Sequence, residues 1–358
     1  MRRLDPWLLI AVLAIAACAF LAQSSTAKAL AAPGHANRQL VWLAVGAVVL
    51  LLVAFADYRV LARLSPLLYV ASITVLLTLF AIAPLRGGTR SWLAIGTYTV
   101  QPSEFARVVT ILAVATLANE YRQSRLNFAA VWRMSAVVAA PALLVLLQPD
   151  LGMALTYIPI LLGALWLCGL PWRAWVAVLL GGAVVVAAAW LYLLKPYQKE
   201  RVLTFADPQR APYSSGYQQR QSKIAVGSGG ITGKGLHSGT QSQLRFLPAQ
   251  YTDFIFAVWA EETGFVGAAL LLAAYALLVI RVFMVALSAR DRVGAVFAGC
   301  AGFVLSTSIL VNVGMVTGLA PTTGITLPLL SYGGSSVLAT CITLGIVQSV
   351  WRLRYANV

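Results

Sequence analysis

Residues 250–280 read QYTDFIFAVWAEETGFVGAALLLAAYALLVI. After Asp253 the stretch stays apolar, apart from Glu261 and Glu262, for longer than the roughly 20 residues a helix needs to cross a bilayer. It shows no period-2 alternation of the kind a membrane barrel strand requires. The same character runs through the whole chain. Its 358 residues are 60% hydrophobic and only 10% charged, against about 25% charged in ordinary soluble domains. These features point to an all-α polytopic membrane protein and exclude a soluble globular one. They also raise a question. Of eleven acidic residues in the chain, three fall between Asp253 and Glu262, in or beside a membrane.

Working outward from that stretch, the apolar runs divide into about ten expected spans: 6–25, 39–56, 66–84, 103–121, 134–148, 151–169, 173–194, 253–280, 293–317 and 332–351. The fifth and sixth are separated only by Gln148-Pro149-Asp150 and form a tight hairpin. The apolar run after Arg2 and Arg3 exceeds the roughly 7–15 residues of a signal core, so it reads as a retained first span. No internal repeat is evident, and residues 1–358 read as a single membrane domain. Counting Lys and Arg in the short loops, a cytoplasmic N-terminus places thirteen on the inner side, Arg122 and Arg125 among them. Only Lys28, Arg38, Arg86 and Arg90 then lie outside. Both termini are therefore expected in the cytoplasm. The four cysteines sit in separate runs and read as packing residues, not as disulfide or metal pairs.

The largest loop, 195–252, falls on the outer face between the seventh and eighth spans. It carries Lys195, Lys199, Arg201, Arg210, Arg220, Lys223, Lys234 and Arg245 against two acids, Glu200 and Asp207. A solvated linker is the plain reading. A surface for an anionic group such as phosphate or pyrophosphate is the sharper one. Glycines at 227–235 let backbone approach a ligand closely, although the spacing around Lys234 does not match a Walker loop. Interspersed aromatic and apolar residues, including Phe205, Tyr217 and Phe246, favour an ordered segment.

Ionisable groups in or near spans are costly and are functional candidates by default. Glu104 and Arg107 stand three apart on one helix and can pair; Gln101-Pro102-Ser103-Glu104 reads as the start of that helix. Asp150 fits a helix N-cap. Asp253 ends the basic loop at the outer surface, where apolar neighbours favour the raised pKa that suits a general base. Glu261 and Glu262 lie about 12–14 Å further along an ideal helix, too far for one site with Asp253, and read as supporting residues in helix packing. Residues 314–335 interrupt an apolar stretch with glycine and proline. Broken backbone at membrane depth must be buried or line a cavity, so this segment, with Ser331 in it, is expected to form a pocket wall. His35 and His237 have no partner histidine and suggest no metal cluster.

Together these stretches resemble the SEDS (shape, elongation, division, sporulation) family. The carrying motifs are QPSE at 101–104, QPDLG at 148–152, RVLTFADP at 201–208, QSKIAVGSGG at 221–230, GTQSQLRFLP at 239–248, TDFIFAVWAEETGFVG at 252–267 and PLLSYGGSS at 328–336. The phrases at 201–208 and 239–248 are more similar to the elongation branch than to the division branch. The resemblance implies ten transmembrane helices and a peptidoglycan glycosyltransferase that polymerises lipid II at the outer face of the bacterial inner membrane. It places the family's essential aspartate on Asp253 and its QPSE acid on Glu104. Where the family usually has lysine, this chain has Arg107, which does not deprotonate in proteins but can grip phosphate bidentately.

The implied chemistry is an inverting displacement. Asp253 takes the proton of an N-acetylglucosamine C4 hydroxyl, and undecaprenyl pyrophosphate leaves from the growing glycan. Positive charge can stabilise that leaving group. Candidates are Arg107, Arg201, Lys223, Lys234 and Arg245, or a divalent cation (Mg2+ or Mn2+) held by Asp253 or Glu104. No organic cofactor and no nucleic acid is implied. The implied partner is a class B penicillin-binding protein, a transpeptidase. Two rivals remain: a lipid II flippase, which would move the lipid without lengthening glycan, and a non-catalytic scaffold.

Overall fold

The structure, a computed structural model, describes residues 3–30, 34–84, 90–96, 98–121, 128–207 and 215–355. Arg2, Arg86, Arg122, Arg125 and Arg210, which entered the charge count, and Pro208 of the 201–208 motif lie outside the described residues.

Nearly everything described is helical. Eight helices are long and apolar enough to cross a membrane: α1 (Pro6–Ala29), α2 (Gly34–Phe55), α3 (Tyr58–Ile82), α5 (Phe128–Leu147), α8 (Trp172–Ala188, continued by a π turn, Ala189–Leu193), α12 (Ile255–Ser288), α13 (Arg292–Thr317) and α14 (Gly334–Leu353). Two further expected spans take other forms. α4 (Pro102–Glu120) carries Glu104 and Arg107 and is less apolar. The run 151–169 is broken into α6 (Leu151–Leu155) and α7 (Ile158–Leu167), with Pro159 in the first turn of α7, where its missing N–H costs nothing. A small antiparallel hairpin, β1 (Leu93–Ile95) and β2 (Tyr98–Val100), precedes α4.

α13 and α14 form the interior. α14 packs on α2, while α13 packs on α12, α4 and α7. In α14, 78% of the most apolar window is buried, whereas α8 has no fully buried residue and meets the core only through half-buried side chains such as Ala174, Trp175 and Val178. At one end of the bundle Asp5 caps α1 and accepts from Arg281 Nη2 at 2.6 Å. The Asp5 amide donates to Gln348 Oε1 at 2.8 Å. This ties the start of α1 to the end of α14 on one side of the bundle.

On the other side the long loop folds back as α9 (Pro196–Ala206), α10 (Ser215–Ser228) and α11 (Thr240–Gln243). It enters α12 itself. Gly264 breaks that helix with φ 67° and ψ −163°, a conformation open to glycine alone. The freed backbone groups pair with the loop: Phe265 N–H donates to the Gly230 carbonyl at 2.9 Å, and Lys234 N–H donates to the Glu261 carbonyl at 3.1 Å. The stretch after the break, 265–288, is by itself long enough to cross a bilayer. Glu261 and Glu262 therefore lie on the short helical stretch 255–263 between Asp253 and the break.

Candidate active site

The QPSE segment starts α4, with Pro102 at the first helical position. The Gln101 amide donates to Ser335 Oγ at 3.0 Å, pinning this start to the start of α14. One turn in, Arg107 Nη2 donates to Glu104 Oε2 at 2.6 Å. Both side chains are largely buried, so the pair is shielded from solvent.

Opposite stands the 148–150 hairpin. Asp150 caps α6, accepting from the Met153 amide at 3.0 Å, and its other oxygen accepts from Gln101 Nε2 at 2.9 Å. The Pro149 carbonyl accepts from Tyr197 Oη at 3.1 Å. That contact docks α9 onto the hairpin and brings Arg201 to the site.

Asp253 lies in the turn just before α12; the cap position is Phe254, so Asp253 does not serve as an N-cap. Asn312, fully buried in α13, fixes this turn. Its Nδ2 donates to the Asp253 carbonyl at 3.0 Å and to the Ile325 carbonyl at 2.8 Å. Ser331 braces the same turn: its hydroxyl donates to the Thr252 carbonyl at 2.7 Å and accepts from the Leu327 amide at 2.8 Å.

These elements enclose a cavity of about 290 Å³. Its wall includes Glu104, Arg107, Asp150, Arg201 and Asp253, together with Trp92, Gln101, Thr156, Tyr332 and the irregular stretch 322–326. Glu104 and Asp253, 149 positions apart in the chain, thus share one chamber. Burial raises the Asp253 carboxyl above its ordinary value, against the opposing effects of the Thr252 hydroxyl and the Arg201 charge. Burial also pushes Asp150 up to about 6; the Met153 amide opposes this, and the Glu104 charge adds to it.

The other sequence candidates lie elsewhere. Lys234 Nζ meets Glu261 Oε1 at 2.8 Å and also donates to Ser228 and Thr240. Glu261, fully buried, further accepts from the Gln241 amide at 2.9 Å. Glu262 accepts from the Ser25 hydroxyl of α1. The two glutamates anchor the long loop and α1; they do not serve packing between transmembrane helices alone. Arg245 Nε donates to the Ala29 carbonyl at 2.8 Å. Lys223 lies across Gly318, the left-handed C-cap of α13, where a cation complements the helix dipole. Ser331 is a brace outside the cavity wall. Among the described residues, no group of three or more His, Cys, Asp or Glu side chains is arranged to hold a metal ion. The donor set therefore does not form a protein cage for a divalent cation.

Asn312 was not singled out from sequence, although a lone asparagine inside an apolar helix was the available signal. Tyr197 carried no signal of its own, whereas Gln101 belongs to the QPSE start and 322–326 belong to the broken segment 314–335 expected to form a pocket wall, which they do.

The cell cycle protein family FTSW_RODA_SPOVE matches residues 4–356. The chain belongs to this family. It is 39% identical to the peptidoglycan glycosyltransferase MrdB of Escherichia coli (strain K12), over 97% of this chain and 93% of that relative. It is 33% identical to stage V sporulation protein E of Bacillus subtilis (strain 168), over 88% and 87%. Among solved structures, it superposes on a chain from work on the structural coordination of polymerization and crosslinking by a peptidoglycan synthase complex. There the TM-score is 0.84 at 34% identity, with 99% of both chains covered. The crystal structure of the Thermus thermophilus rod shape determining protein RodA matches with a TM-score of 0.74 at 30% identity, again over 99% of both chains. These likenesses establish a RodA-type, many-helix membrane protein of the SEDS family.

Proposed function

We propose that this chain is a peptidoglycan glycosyltransferase that polymerises lipid II for cell elongation. The observation that carries the reading is the convergence of Asp253, the Glu104–Arg107 pair and Arg201 on one buried chamber, in a chain similar to MrdB over nearly its full length.

The acceptor is the C4 hydroxyl of N-acetylglucosamine on incoming lipid II. Asp253, with its carboxyl raised by burial, accepts that proton as the oxygen bonds to the anomeric carbon of N-acetylmuramic acid. The bond to undecaprenyl pyrophosphate breaks, and the electron pair leaves on the pyrophosphate. One displacement converts an α-linked donor into a β-linked polymer, so no enzyme nucleophile is needed. Arg107 and Arg201 supply positive charge where negative charge develops on the leaving group. Glu104 holds Arg107 through its 2.6 Å ion pair. A divalent cation would need substrate phosphates to complete its ligands, as Mg2+ often does; no step above depends on one.

The chamber lies at the end of the bundle away from the start of α1 and the end of α14. With cytoplasmic termini, that end faces outward from the inner membrane, where lipid II is consumed. A class B penicillin-binding protein fits as the partner, because a cross-linking transpeptidase uses the nascent strand.

The test is incubation of the purified chain with lipid II, with and without such a transpeptidase and with and without chelator. Glycan strands longer than the starting disaccharide are expected. Movement of lipid II across vesicles with no lengthening would replace this reading with a flippase. Unchanged polymerisation by the complex after Asp253→Asn would replace it with a scaffold.

A further inference from the structure

One wall of the chamber is unlike the rest. Residues 321–326 run without helix or strand between α13 and α14, and three of them are threonines. Thr326 has a partner: its hydroxyl lies 3.2 Å from Ser336 Oγ. The hydroxyls of Thr322 and Thr323 are buried and have no hydrogen-bond partner in the protein, and Thr322 is only 8% exposed. Folded interiors rarely leave buried hydroxyls unpaired. Here two neighbours do so on the wall of one cavity.

The next residue fixes where they stand. Gly324 has φ +78°, and a methyl group built on it would lie 3.7 Å from Asp253 Oδ2 and 3.9 Å from Arg201 Nη1. The threonine segment therefore borders both the proposed base and a cation. With no side chain at Gly324, a substrate oxygen can reach the space beside them.

The charges select the ligand. Glu104 is neutralised by Arg107, whereas among the described residues Arg201 forms no ion pair. Two unpaired hydroxyl donors beside a free guanidinium suit an anion with several oxygens. A neutral sugar hydroxyl would not require the cation. We propose that Thr322 and Thr323, with Arg201, seat the diphosphate of the polyprenyl-linked donor beside Asp253. The inference rests on the chamber being the glycosyl-transfer site. It adds two binding residues whose hydroxyls donate to phosphate oxygens and strengthen as charge builds on the leaving group.

The experiment measures binding of undecaprenyl pyrophosphate to the purified full chain, with undecaprenol as the phosphate-free comparison lipid. Thr322→Val and Thr323→Val keep side-chain volume and remove the hydroxyl. Each is expected to weaken diphosphate binding by roughly tenfold and to leave undecaprenol binding unchanged, while Thr322→Ser restores the wild-type value. If a valine variant does not fold, the alanine and serine variants at that position make the same comparison. Wild-type diphosphate affinity in both hydroxyl-free variants overturns the proposal, as does an equal loss for undecaprenol. Asp253→Asn separates this from the function itself: it is expected to bind the diphosphate like wild type yet form no polymer. Hydroxyl-dependent diphosphate binding by a wild-type chain that never polymerises lipid II would leave the seat standing and remove the glycosyltransferase reading.

Discussion

Asp253 and Glu261 are eight residues apart and sit at the same end of the bundle, in opposite surroundings. Glu261 is saturated: Lys234, Thr240 and the Gln241 and Ser242 amides all point at its carboxylate. Asp253 faces open space, shared with another acid–base pair, a further cation and two hydroxyls without protein partners. A carboxylate whose hydrogen bonds are all spent within the protein holds structure together. One left facing a cavity with a raised pKa is free to take a proton. Charge alone does not distinguish the two; the state of their partners does.

The comparison can be broken at several points. The largest expected effect is on turnover: Asp253→Asn should lower polymerisation by about 10²–10⁴-fold, the usual contribution of a general base, with an unchanged melting temperature. Glu261→Ala should act the other way. It strands the Lys234 charge and costs stability on the order of 3 kcal/mol, read as a fall in melting temperature, while the rate per folded molecule holds.

The pH profile of kcat/KM should show an acid limb above the ordinary carboxylate range of about 4, because burial raises Asp253. As pH falls through that raised value the base becomes protonated and the rate drops. Asp150, pushed from 3.8 to about 6, gives a stability effect of defined sign. Its contribution is fully present below 3.8 and is lost as pH rises through about 6; melting temperatures of wild type and Asp150→Asn across that window test it.

Smaller effects are expected from Arg107→Lys. It should keep activity within about tenfold if charge is what the leaving group needs. A dead variant would show that the planar, bidentate geometry of arginine matters. Smallest is Ser331→Ala, which removes two braces of the Asp253 turn and should cost about 1–2 kcal/mol of stability.

Much of this was legible before any coordinates. Apolar runs of bilayer length declare themselves, and Glu104 and Arg107 are close in sequence, so their pairing follows from helix geometry. Partners of the long loop were not legible in the same way. Lys234 meets Glu261 27 residues away, and Arg245 meets Ala29 216 residues away. Composition made both look like phosphate ligands, because a basic loop says nothing about which charges the fold consumes. The break in α12 was not legible for a different reason: it depends on the loop returning to pair with the backbone freed around Gly264. Thr322 and Thr323 lie in the broken segment that the sequence marks as a pocket wall, but within it only their missing partners single them out.

The most direct test places Asp253→Asn and Glu261→Gln in one lipid II polymerisation assay, with melting temperature measured on the same preparations. The account predicts that Asp253→Asn melts like wild type and makes no polymer, while Glu261→Gln melts lower and polymerises at the wild-type rate per folded molecule. Wild-type polymer yield from well-folded Asp253→Asn would contradict it.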